Sequence, residues 1–432
     1  MSSETLVHRV LEHLERNPSA EVWRFWDLET GDKHVLTREA AFAAASRVAA
    51  GLEAYSTPRT LIVLPLGLDL LAAHLGTFLA GGVPALHAHP SAKISPEKYL
   101  EHLRHVATVM APDVVLTNAR FAPAVREAVA GEVIDVATLE VVATGAPPWE
   151  RRRSEDLALV QHSSGSTGLQ KGVALTHGMV LRQCDAYAKA LRLGEADRVA
   201  SWIPLYHDMG LFTSWLLPLT QGLPVSALDP FAWVSQPRCF LELITEDAGT
   251  LAWMPNFAYN LLAGRVRDRD LEGLDLSSMR GFSNCSEPVQ AGSHEVFLAR
   301  FGAVGVRPEA LWTCYAMAEN AFAATAAGVP GVPSRVVEVD PEAFARGEAR
   351  PAPGGLRLVS CGVPIQGCEL EVRSDARAEV EDGAVGEIAL RSSYTLKEYY
   401  RNPTAPSSTS ARASLRTSSS QPWIGTPQDT RR

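Results

Sequence analysis

The chain has 432 residues, of which 46% are hydrophobic and 21% are charged, and its formal net charge at pH 7 is −9. This length predicts two or three subdomains, and the composition is that of an ordinary globular protein. The negative charge argues against a nucleic acid or an anionic membrane surface as partner, because both favour clustered Lys and Arg.

No segment has the pattern of a membrane span or a secretory signal. The N-terminus is polar, and the longest apolar region, Leu61–Leu86, is interrupted by Pro65, Asp69 and His74. It is therefore predicted to be buried core. The six cysteines include no Cys-x-x-Cys pair and have no regular spacing. Free thiols in a reducing cytoplasm are the expectation.

Short apolar runs alternate with helical patterns in the first third of the chain. A proline follows the first run, a glycine pair closes the first helix, and a serine cap with a first-turn proline opens the second helix. The sequence predicts strands at Thr60–Leu64, Val83–Leu86 and Asp113–Thr117, and helices at Leu68–Ala80 and from Ser95-Pro96 to about Met110.

The same alternation continues further along, with predicted strands near Val199–Ile203, Thr250–Met254, Arg280–Ser283 and Leu311–Tyr315. Strand-helix-strand repetition predicts an α/β fold with mostly parallel sheets covered by helices. Polar segments follow these strands at Pro204, Pro255, Asn284 and Tyr315. Because ligands of open α/β sheets collect at the carboxyl ends of strands, these segments are expected to meet at one crevice.

From about Ser334 the apolar period changes to two, which predicts a small antiparallel subdomain. The period is clearest in Leu356-Arg357-Leu358, Glu369–Arg373 and Gly386–Arg391. No internal repeat is visible.

A loop rich in glycine and hydroxyl groups follows the apolar run Leu157–Val160; its residues are Ser163, Ser164, Gly165, Ser166, Thr167 and Gly168, with Lys171 after them. Successive backbone N–H groups in such a loop bind anions, and the hydroxyls and the lysine add donors. The loop is not a Walker A motif, since Gln170 stands where the second glycine is needed and Gly172 follows the lysine. The alternative is a flexible surface loop.

Several motifs in the same order resemble the acyl-adenylate-forming (AMP-binding) superfamily, and its fatty acyl-AMP ligase branch in particular. One is the loop Ser163–Gly168 with Lys171 after it, which we call the phosphate loop. The others are Pro204-Leu205-Tyr206-His207-Asp208-Met209-Gly210-Leu211, Pro255-Asn256-Phe257-Ala258-Tyr259, Ser286-Glu287-Pro288-Val289, Cys314-Tyr315-Ala316-Met317-Ala318-Glu319 and Val359-Ser360-Cys361-Gly362. The resemblance runs from about Leu36 to Pro403. It implies a large N-terminal domain over residues 1–402, with two helix-covered, mostly parallel sheets and a small antiparallel β-barrel subdomain over about 334–402.

The resemblance also implies roles for individual residues in binding ATP and Mg²⁺. Ser163–Gly168 and Lys171 would hold the phosphates, Glu319 and Thr167 the metal, and Tyr315, Ala316 and Met317 the adenine. Ser286, Glu287 and Pro288, expected to open a helix, would contact adenine and the α-phosphate. His207 would lie beside the carboxylate of the acid, so that Lys171, His207 and Glu319 are the expected catalytic residues.

Each assignment has a structural alternative. Glu319 would be a first-turn helix residue favoured by the macrodipole, Tyr315 a core aromatic, and His207 a histidine satisfied by Asp208 within a turn. Cys285 takes the place of a usual glycine, but no histidine is spaced to activate it, so it is expected to be a small buried side chain.

The expected reaction is attack of a carboxylate oxygen on the α-phosphorus of ATP with release of pyrophosphate, which needs alignment and charge neutralisation rather than a base. Relatives then pass the acyl group to an acyl carrier protein thiol. An acyl-CoA synthetase is the second interpretation, and an inactive nucleotide- or acyl-binding remnant is the third.

The family pattern stops near Pro403. Residues 403–432 contain 12 Ser or Thr and one acid, Asp429, a composition that predicts disorder. The Thr-Gly-Asp motif and the lysine-bearing C-terminal domain of relatives are not found in this sequence. A frameshift or a truncation is the expectation, with impaired activity.

Overall fold

The computed structural model describes residues 4–91, 93–139, 148–162, 171–332, 334–374, 378, 380–402, 411–415 and 423–424. In chain order the strands are β1 (Glu21–Trp26), β2 (Lys33–Thr37), β3 (Arg59–Ile62), β4 (Val83–Leu86), β5 (Val114–Thr117), β6 (Glu132–Asp135), β7 (Leu157–His162), β8 (Gly172–Thr176), β9 (Val199–Ser201), β10 (Val225–Leu228), β11 (Leu251–Met254), β12 (Gly281–Asn284), β13 (Leu311–Ala316), β14 (Ala323–Ala327), β15 (Val336–Val339), β16 (Leu356–Val359), β17 (Val363–Pro364), β18 (Cys368–Arg373), β19 (Val385–Ser392), β20 (Ala411–Leu415) and β21 (Trp423–Ile424).

The helices are α1 (Leu6–Arg16), α2 (Arg38–Gly51), α3 (Leu68–Leu79), α4 (Pro96–Met110), α5 (Ala122–Ala128), α6 (His177–Leu191), α7 (Asp208–Leu211), α8 (Leu217–Gln221), α9 (Pro230–Ser235), α10 (Arg238–Asp247), α11 (Asn256–Arg265), α12 (Ala291–Phe301) and α13 (Pro341–Ala345). Within the described ranges, none of them is both long enough and apolar enough to cross a membrane.

The chain divides into two compact units, each built from several segments. Unit 1 contains Met1–Cys184, Pro204–Pro224 and Leu396–Ser407, and unit 2 contains Asp185–Ile203, Val225–Thr395 and Ser408–Arg432.

Unit 1 is organised around a four-stranded parallel sheet in the order β4-β3-β5-β6. Helix α4 begins where its sequence predicts, since the Ser95 hydroxyl accepts the Lys98 N–H and Pro96 occupies the first turn. Its apolar face, including Leu103 and Val106, packs on buried residues of β3 and β5. The predicted alternation over this region is confirmed. Unit 1 also contains two antiparallel hairpins, β1-β2 and β7-β8.

Unit 2 contains a seven-stranded run of sheet in the order β17-β14-β13-β12-β11-β9-β10. Strands β10, β9, β11, β12 and β13 are parallel, and β14 and β17 complete one edge in antiparallel pairing. Helix α12 packs on this sheet through an edge-to-face contact between Phe297 and Phe282, and on α11 through one between Phe297 and Tyr259, with ring centres 5.1 Å apart in each pair. The predicted second parallel sheet, with helices between its strands, is therefore confirmed.

The period-two segments form antiparallel sheets, as predicted. Strands β15 and β16 pair with each other, and β18, β19, β20 and β21 form a second sheet. Strands β20 and β21 belong to the segment 403–432, for which we expected no regular structure. Strand β20 pairs with β19 and with β21, and the disorder of the segment as a whole stays a prediction. The rest of that segment lies outside the described residues.

Candidate active site

The carboxyl ends of three neighbouring strands bring predicted site residues of unit 2 together. Strand β11 pairs with β12, and β12 with β13, all in parallel, so their carboxyl ends lie at one edge of the sheet. Residues 255–257 follow β11, residues 285–288 follow β12, and Tyr315 and Glu319 lie at and just after the end of β13. The predicted convergence of these loops is confirmed for unit 2; Pro204 begins a segment of unit 1.

The segment Ser286-Glu287-Pro288 does not open a helix, and that prediction is wrong. It lies in an irregular loop, Cys285–Gln290, and helix α12 begins only at Ala291. The cause is the backbone of Ser286, whose φ of +68° is left-handed and cannot continue into a right-handed helical turn. Ser286, Glu287 and Pro288 are all exposed, whereas Cys285 is fully buried. The loop therefore presents its polar residues outward, and Cys285 is a buried side chain, as expected.

The Glu287 carboxylate has a partner in the neighbouring segment. It accepts the backbone N–H of Phe257, in the first turn of α11, at 3.0 Å. A first-turn N–H has no partner within its own helix, so Glu287 completes the N-terminus of α11. A direct contact between Glu287 and a nucleotide stays a prediction.

A buried polar cluster lies beneath the Cys285–Gln290 loop. The Asn284 Nδ2 atom donates to Asn256 Oδ1 at 3.0 Å and lies 3.2 Å from His294 Nε2. Because an amide nitrogen only donates, His294 Nε2 must accept and the ring proton is on Nδ1. Burial lowers the pKa of His294 to about 4, so the ring is neutral at pH 7. Among the described residues, Asn284 Oδ1 has no hydrogen-bond donor.

Tyr315 keeps part of its surface accessible although its hydroxyl is enclosed. Burial raises the pKa of this phenol, and the nearby Cys361 and Glu319 side chains raise it further. The side chain is half-buried, and so are Ala316 and Met317 beside it. A half-buried ring at the end of a strand retains a face on which a flat ligand can stack. The position is therefore compatible with the predicted adenine contact.

Glu319 lies in a short 3-10 turn, Ala318–Asn320, and is half-buried. The turn is fixed by the fully buried Asn320, whose Oδ1 accepts the hydroxyls of Ser392 at 2.8 Å and Thr395 at 2.9 Å. Its Nδ2 donates to the Ala323 carbonyl at 3.0 Å. Asn320 thus anchors the backbone turn that carries Glu319, a role that sequence analysis missed.

The donors available near Glu319 fit one kind of metal. No group of three or more His, Cys, Asp or Glu side chains within the described ranges is arranged to hold an ion. One carboxylate suits Mg²⁺, which takes one or two protein carboxylates and completes its shell with phosphates and water. It does not suit a structural zinc ion, which needs four protein ligands. Thr167, the other predicted metal ligand, lies outside the described residues.

The phosphate loop closes an antiparallel hairpin in unit 1. Ser163, Ser164, Gly165, Ser166, Thr167 and Gly168 lie outside the described residues, but the flanking strands β7 and β8 pair with His162 opposite Gly172. Lys171 follows the loop directly, and its Nζ lies 4.9 Å from the centre of the Tyr399 ring. The Tyr400 N–H donates to the Gly172 carbonyl at 2.7 Å. The segment 399–400 therefore contacts the Lys171 ammonium and the first residue of β8.

His207 contacts Asp208, as expected from the alternative in which Asp208 satisfies this histidine within a turn. Its Nδ1 lies 2.7 Å from Asp208 Oδ1, and Asp208 Oδ1 also accepts the Met209 N–H at 2.7 Å. Burial acts to lower the pKa of His207, but the Asp208 hydrogen bond and charge outweigh it, so the net direction is upward. His207 belongs to unit 1, and its predicted contact with the acid stays a prediction.

Comparisons with known proteins identify the family of the chain. The sequence model described as AMP-binding enzyme matches residues 11–400. The chain is 30% identical to the 4-hydroxyphenylalkanoate adenylyltransferase of Mycobacterium marinum, over 93% of this chain and 67% of that protein. It is 34% identical to the medium-chain-fatty-acid–[acyl-carrier-protein] ligase TtuA of Teredinibacter turnerae, over 60% of this chain and 41% of that protein.

A solved structure extends the similarity to the fold. The fatty acyl-adenylate ligase from L. pneumophila, in complex with acyl adenylate and pyrophosphate, is 27% identical. It superposes with a TM-score of 0.85 over 97% of this chain and 76% of that chain. The motifs, the two parallel sheets and these comparisons together show that the chain belongs to the AMP-binding enzyme family, with fatty acyl-AMP ligases among its relatives.

Proposed function

We propose that this protein activates a carboxylic acid with ATP to give an acyl-adenylate and pyrophosphate. The observation that carries the proposal is that the Cys285–Gln290 loop, the half-buried Tyr315 and Glu319 all lie at the carboxyl ends of neighbouring parallel strands. Ligands of open α/β sheets bind at such ends. Support also comes from the relatives, one of which is named an adenylyltransferase and another of which binds acyl adenylate and pyrophosphate.

Different residues are proposed to bind different parts of the reactants in an in-line displacement. The acid's carboxylate is the nucleophile and needs no base, so the protein has to align it and offset phosphate charge. Ser286, Pro288, Tyr315, Ala316 and Met317 are proposed to receive the adenosine part. The phosphate loop and Lys171 are proposed to hold the phosphates. Glu319 is proposed to hold Mg²⁺, which supplies Lewis-acid charge neutralisation when it is bound.

His207 is proposed to orient the acid. With its Nδ1 proton directed to Asp208, the neutral ring offers Nε2 as an acceptor, and the protonated ring offers a second donor. The raised pKa of His207 favours the protonated ring, which would attract a carboxylate.

For the acyl acceptor we propose a carrier-protein thiol. Support comes from the similarity to TtuA, which is named for ligation to acyl carrier protein. CoA is the alternative acceptor, and the two are separated by offering holo carrier protein and CoA in parallel. A fatty acid is the proposed substrate class. All six cysteines are free thiols, which supports the proposed cytoplasmic location.

The direct test is ATP–pyrophosphate exchange by the 432-residue chain with a panel of linear and aryl-substituted acids and Mg²⁺. Exchange that depends on one class of acid is the expected result. Lys171→Ala should weaken binding of ATP more than binding of a non-reactive acyl-adenylate analogue, because the analogue lacks the β- and γ-phosphates. If no acid supports exchange and calorimetry detects neither ATP nor the analogue, the proposed function is wrong.

A further inference from the structure

The loop Cys285–Gln290 is attached to one side chain at both of its ends. Asn256 Oδ1 accepts Asn284 Nδ2 at 3.0 Å, directly before the loop, and the Gln290 N–H at 3.1 Å, at its last residue. Between these points the Glu287 carboxylate accepts the N–H of Phe257, the residue next to Asn256. The whole loop is therefore fixed to the first turn of α11.

The Asn256 side chain also reaches the helix that follows the loop. Its Nδ2 donates to the Ser293 hydroxyl, in the first turn of α12, at 3.0 Å. Asn256 is only 5% exposed, so its bonds are shielded from water and are costly to leave unmade. One buried amide thus joins the end of β12, the end of the loop and the start of α12.

The cluster is not arranged for stability alone. Asn284 Oδ1 and the Tyr259 hydroxyl are fully buried and have no partner in the described part of the chain. Ser286 is held at a φ of +68°, a left-handed conformation that is unfavourable for a residue other than glycine. Strained backbone persists only where its surroundings impose it. The bonds of Asn256 on either side of Ser286 are surroundings of that kind.

We infer that Asn256 is a positioning residue that holds the Cys285–Gln290 loop in the conformation that receives the nucleotide. The inference rests on the proposed function, because it takes this loop as part of the adenosine site. Asn256 is not proposed to touch a ligand, and it acts through the Cys285–Gln290 loop. Its loss should weaken ATP binding without changing the affinity for the acid.

Asn260, one helical turn further along α11, provides a matched control. Its Nδ2 donates to the same Ser293 hydroxyl at 3.0 Å, but it has no bond to Asn284 or Gln290. Asn256→Ala and Asn260→Ala each remove one amide donor from Ser293, and only the first releases the loop. Asn256→Asp retains an oxygen acceptor at the same position and should restore much of the loss.

The test measures KM for ATP and KM for the acid separately by pyrophosphate exchange, and the affinity for a non-reactive acyl-adenylate analogue by calorimetry. Asn256→Ala should raise KM for ATP and weaken analogue binding about tenfold or more, a change on the order of 1.4 kcal/mol. Its KM for the acid should stay at the wild-type value. Asn260→Ala should match wild type in all three measurements.

A purely structural role gives a different result. Destabilisation alone lowers the folded fraction, which reduces the rate and leaves both KM values unchanged, and urea unfolding reports that fraction independently. If folded Asn256→Ala has wild-type KM for ATP and wild-type analogue affinity, the inference is wrong although the proposed function stands. If wild-type protein itself shows no exchange and no analogue binding, the proposed function fails first.

Discussion

The two ends of the parallel sheet in unit 2 are built differently. At the amino ends of β9, β11 and β12, Asp197 is buried and both of its oxygens accept from Arg280, at 2.7 and 2.9 Å. The Thr250 hydroxyl and the Gly194 N–H also donate to Asp197. At the carboxyl ends, Asn284 and Tyr259 keep a buried polar atom without a partner within the described ranges. The amino end is closed by charge and hydrogen bonds, while the carboxyl end, where the ligand site is proposed, retains buried polar atoms without a partner in the described residues.

This difference separates residues that hold the fold from residues that serve the chemistry. Removing one partner of the Asp197–Arg280 pair leaves the other charge uncompensated, so it should affect unfolding and leave substrate affinity alone. An unpaired buried polar atom costs stability. Two such atoms lie beside the candidate site, as expected if that end of the sheet serves the proposed function.

Glu319 and Glu309 lie at opposite ends of strand β13, so substitutions of the two residues can be compared directly. Both lie in short 3-10 turns, Glu309 at the start of β13 and Glu319 beyond its end. Glu319→Gln should slow adenylate formation by roughly 100- to 1,000-fold, as expected when charge stabilisation is lost from a transition state, and should abolish the Mg²⁺ dependence of ATP binding. Pyrophosphate exchange and Mg²⁺ titration measure both effects.

Glu309→Gln, on the exposed turn at the amino end, should have wild-type exchange and Mg²⁺ dependence. Equal effects of the two substitutions would mean that Glu319 is only a helix-start residue.

Asp197→Ala should have its main effect on stability. It leaves the Arg280 guanidinium with hydrogen bonds to the Leu191 and Arg192 carbonyls, at 3.2 and 3.4 Å, and with the Trp312 ring, whose centre is 5.8 Å away. The free energy of unfolding should fall by roughly 2–3 kcal/mol, less than for a wholly buried pair because Arg280 remains 31% exposed. Urea denaturation measures it. Arg300→Ala breaks the exposed pair with Asp268 and should cost no more than about 0.5 kcal/mol.

A raised KM for ATP in folded Asp197→Ala would contradict the separation of the two ends, since that residue lies away from the proposed ligand loops.

Acid should affect the carboxyl-end cluster through His294. Burial lowers its pKa from the ordinary histidine value of 6.5 to about 4, so the neutral ring favours folding at pH 7. That contribution is fully present above about pH 6.5 and is lost as the pH falls towards 4. Protonation would place a second donor opposite Asn284 Nδ2 and break the bond described above.

Urea unfolding between pH 7 and 4.5 measures this contribution. His294→Gln retains an acceptor without a proton-binding site, so its stability should fall less steeply with acid, by on the order of 1–2 kcal/mol over that range. If the free energy of unfolding depends on pH equally in the variant and the wild type, His294 does not contribute to the acid sensitivity.

The smallest effect is expected at Ser286. Glycine adopts a φ of +68° without strain, so Ser286→Gly should be more stable than Ser286→Ala by roughly 0.5–1 kcal/mol. Both variants lack the hydroxyl, so the comparison isolates the backbone. Denaturant midpoints measure the difference. A more stable alanine variant would show that the left-handed conformation is not maintained in solution.

Regular elements were predictable where local chemistry determines them. Strand β4 occupies Val83–Leu86 as predicted, because an apolar run between turn residues has few alternatives. Helix α4 begins at its serine cap and first-turn proline. The hairpin β7-β8 was not predicted, since its strands are joined by a loop whose composition indicates anion binding rather than a turn.

The positioning residues were less predictable than the motifs that contain them. Asn256 and Asn284 lie inside quoted motifs, yet nothing local shows that their amides meet. Asn320 follows Glu319 directly, but its partners Ser392 and Thr395 are distant in the chain. The helix expected at Ser286 failed for a related reason, because serine gives no sign of a left-handed backbone. Side-chain pairing across strands depends on register, which the sequence specifies only through the completed fold.

The bond from Tyr400 to Gly172 has a consequence for the order in which the protein is made. Gly172 leaves the ribosome long before Tyr400, and the intervening chain includes most of unit 2. The support beneath Lys171 must therefore wait until nearly all of the strands have been synthesised. Contacts between positions so distant in sequence form slowly. Maturation of the proposed phosphate-binding segment is thus expected to be a late event in biosynthesis, so a nascent chain should bind nucleotide only after its second sheet has formed.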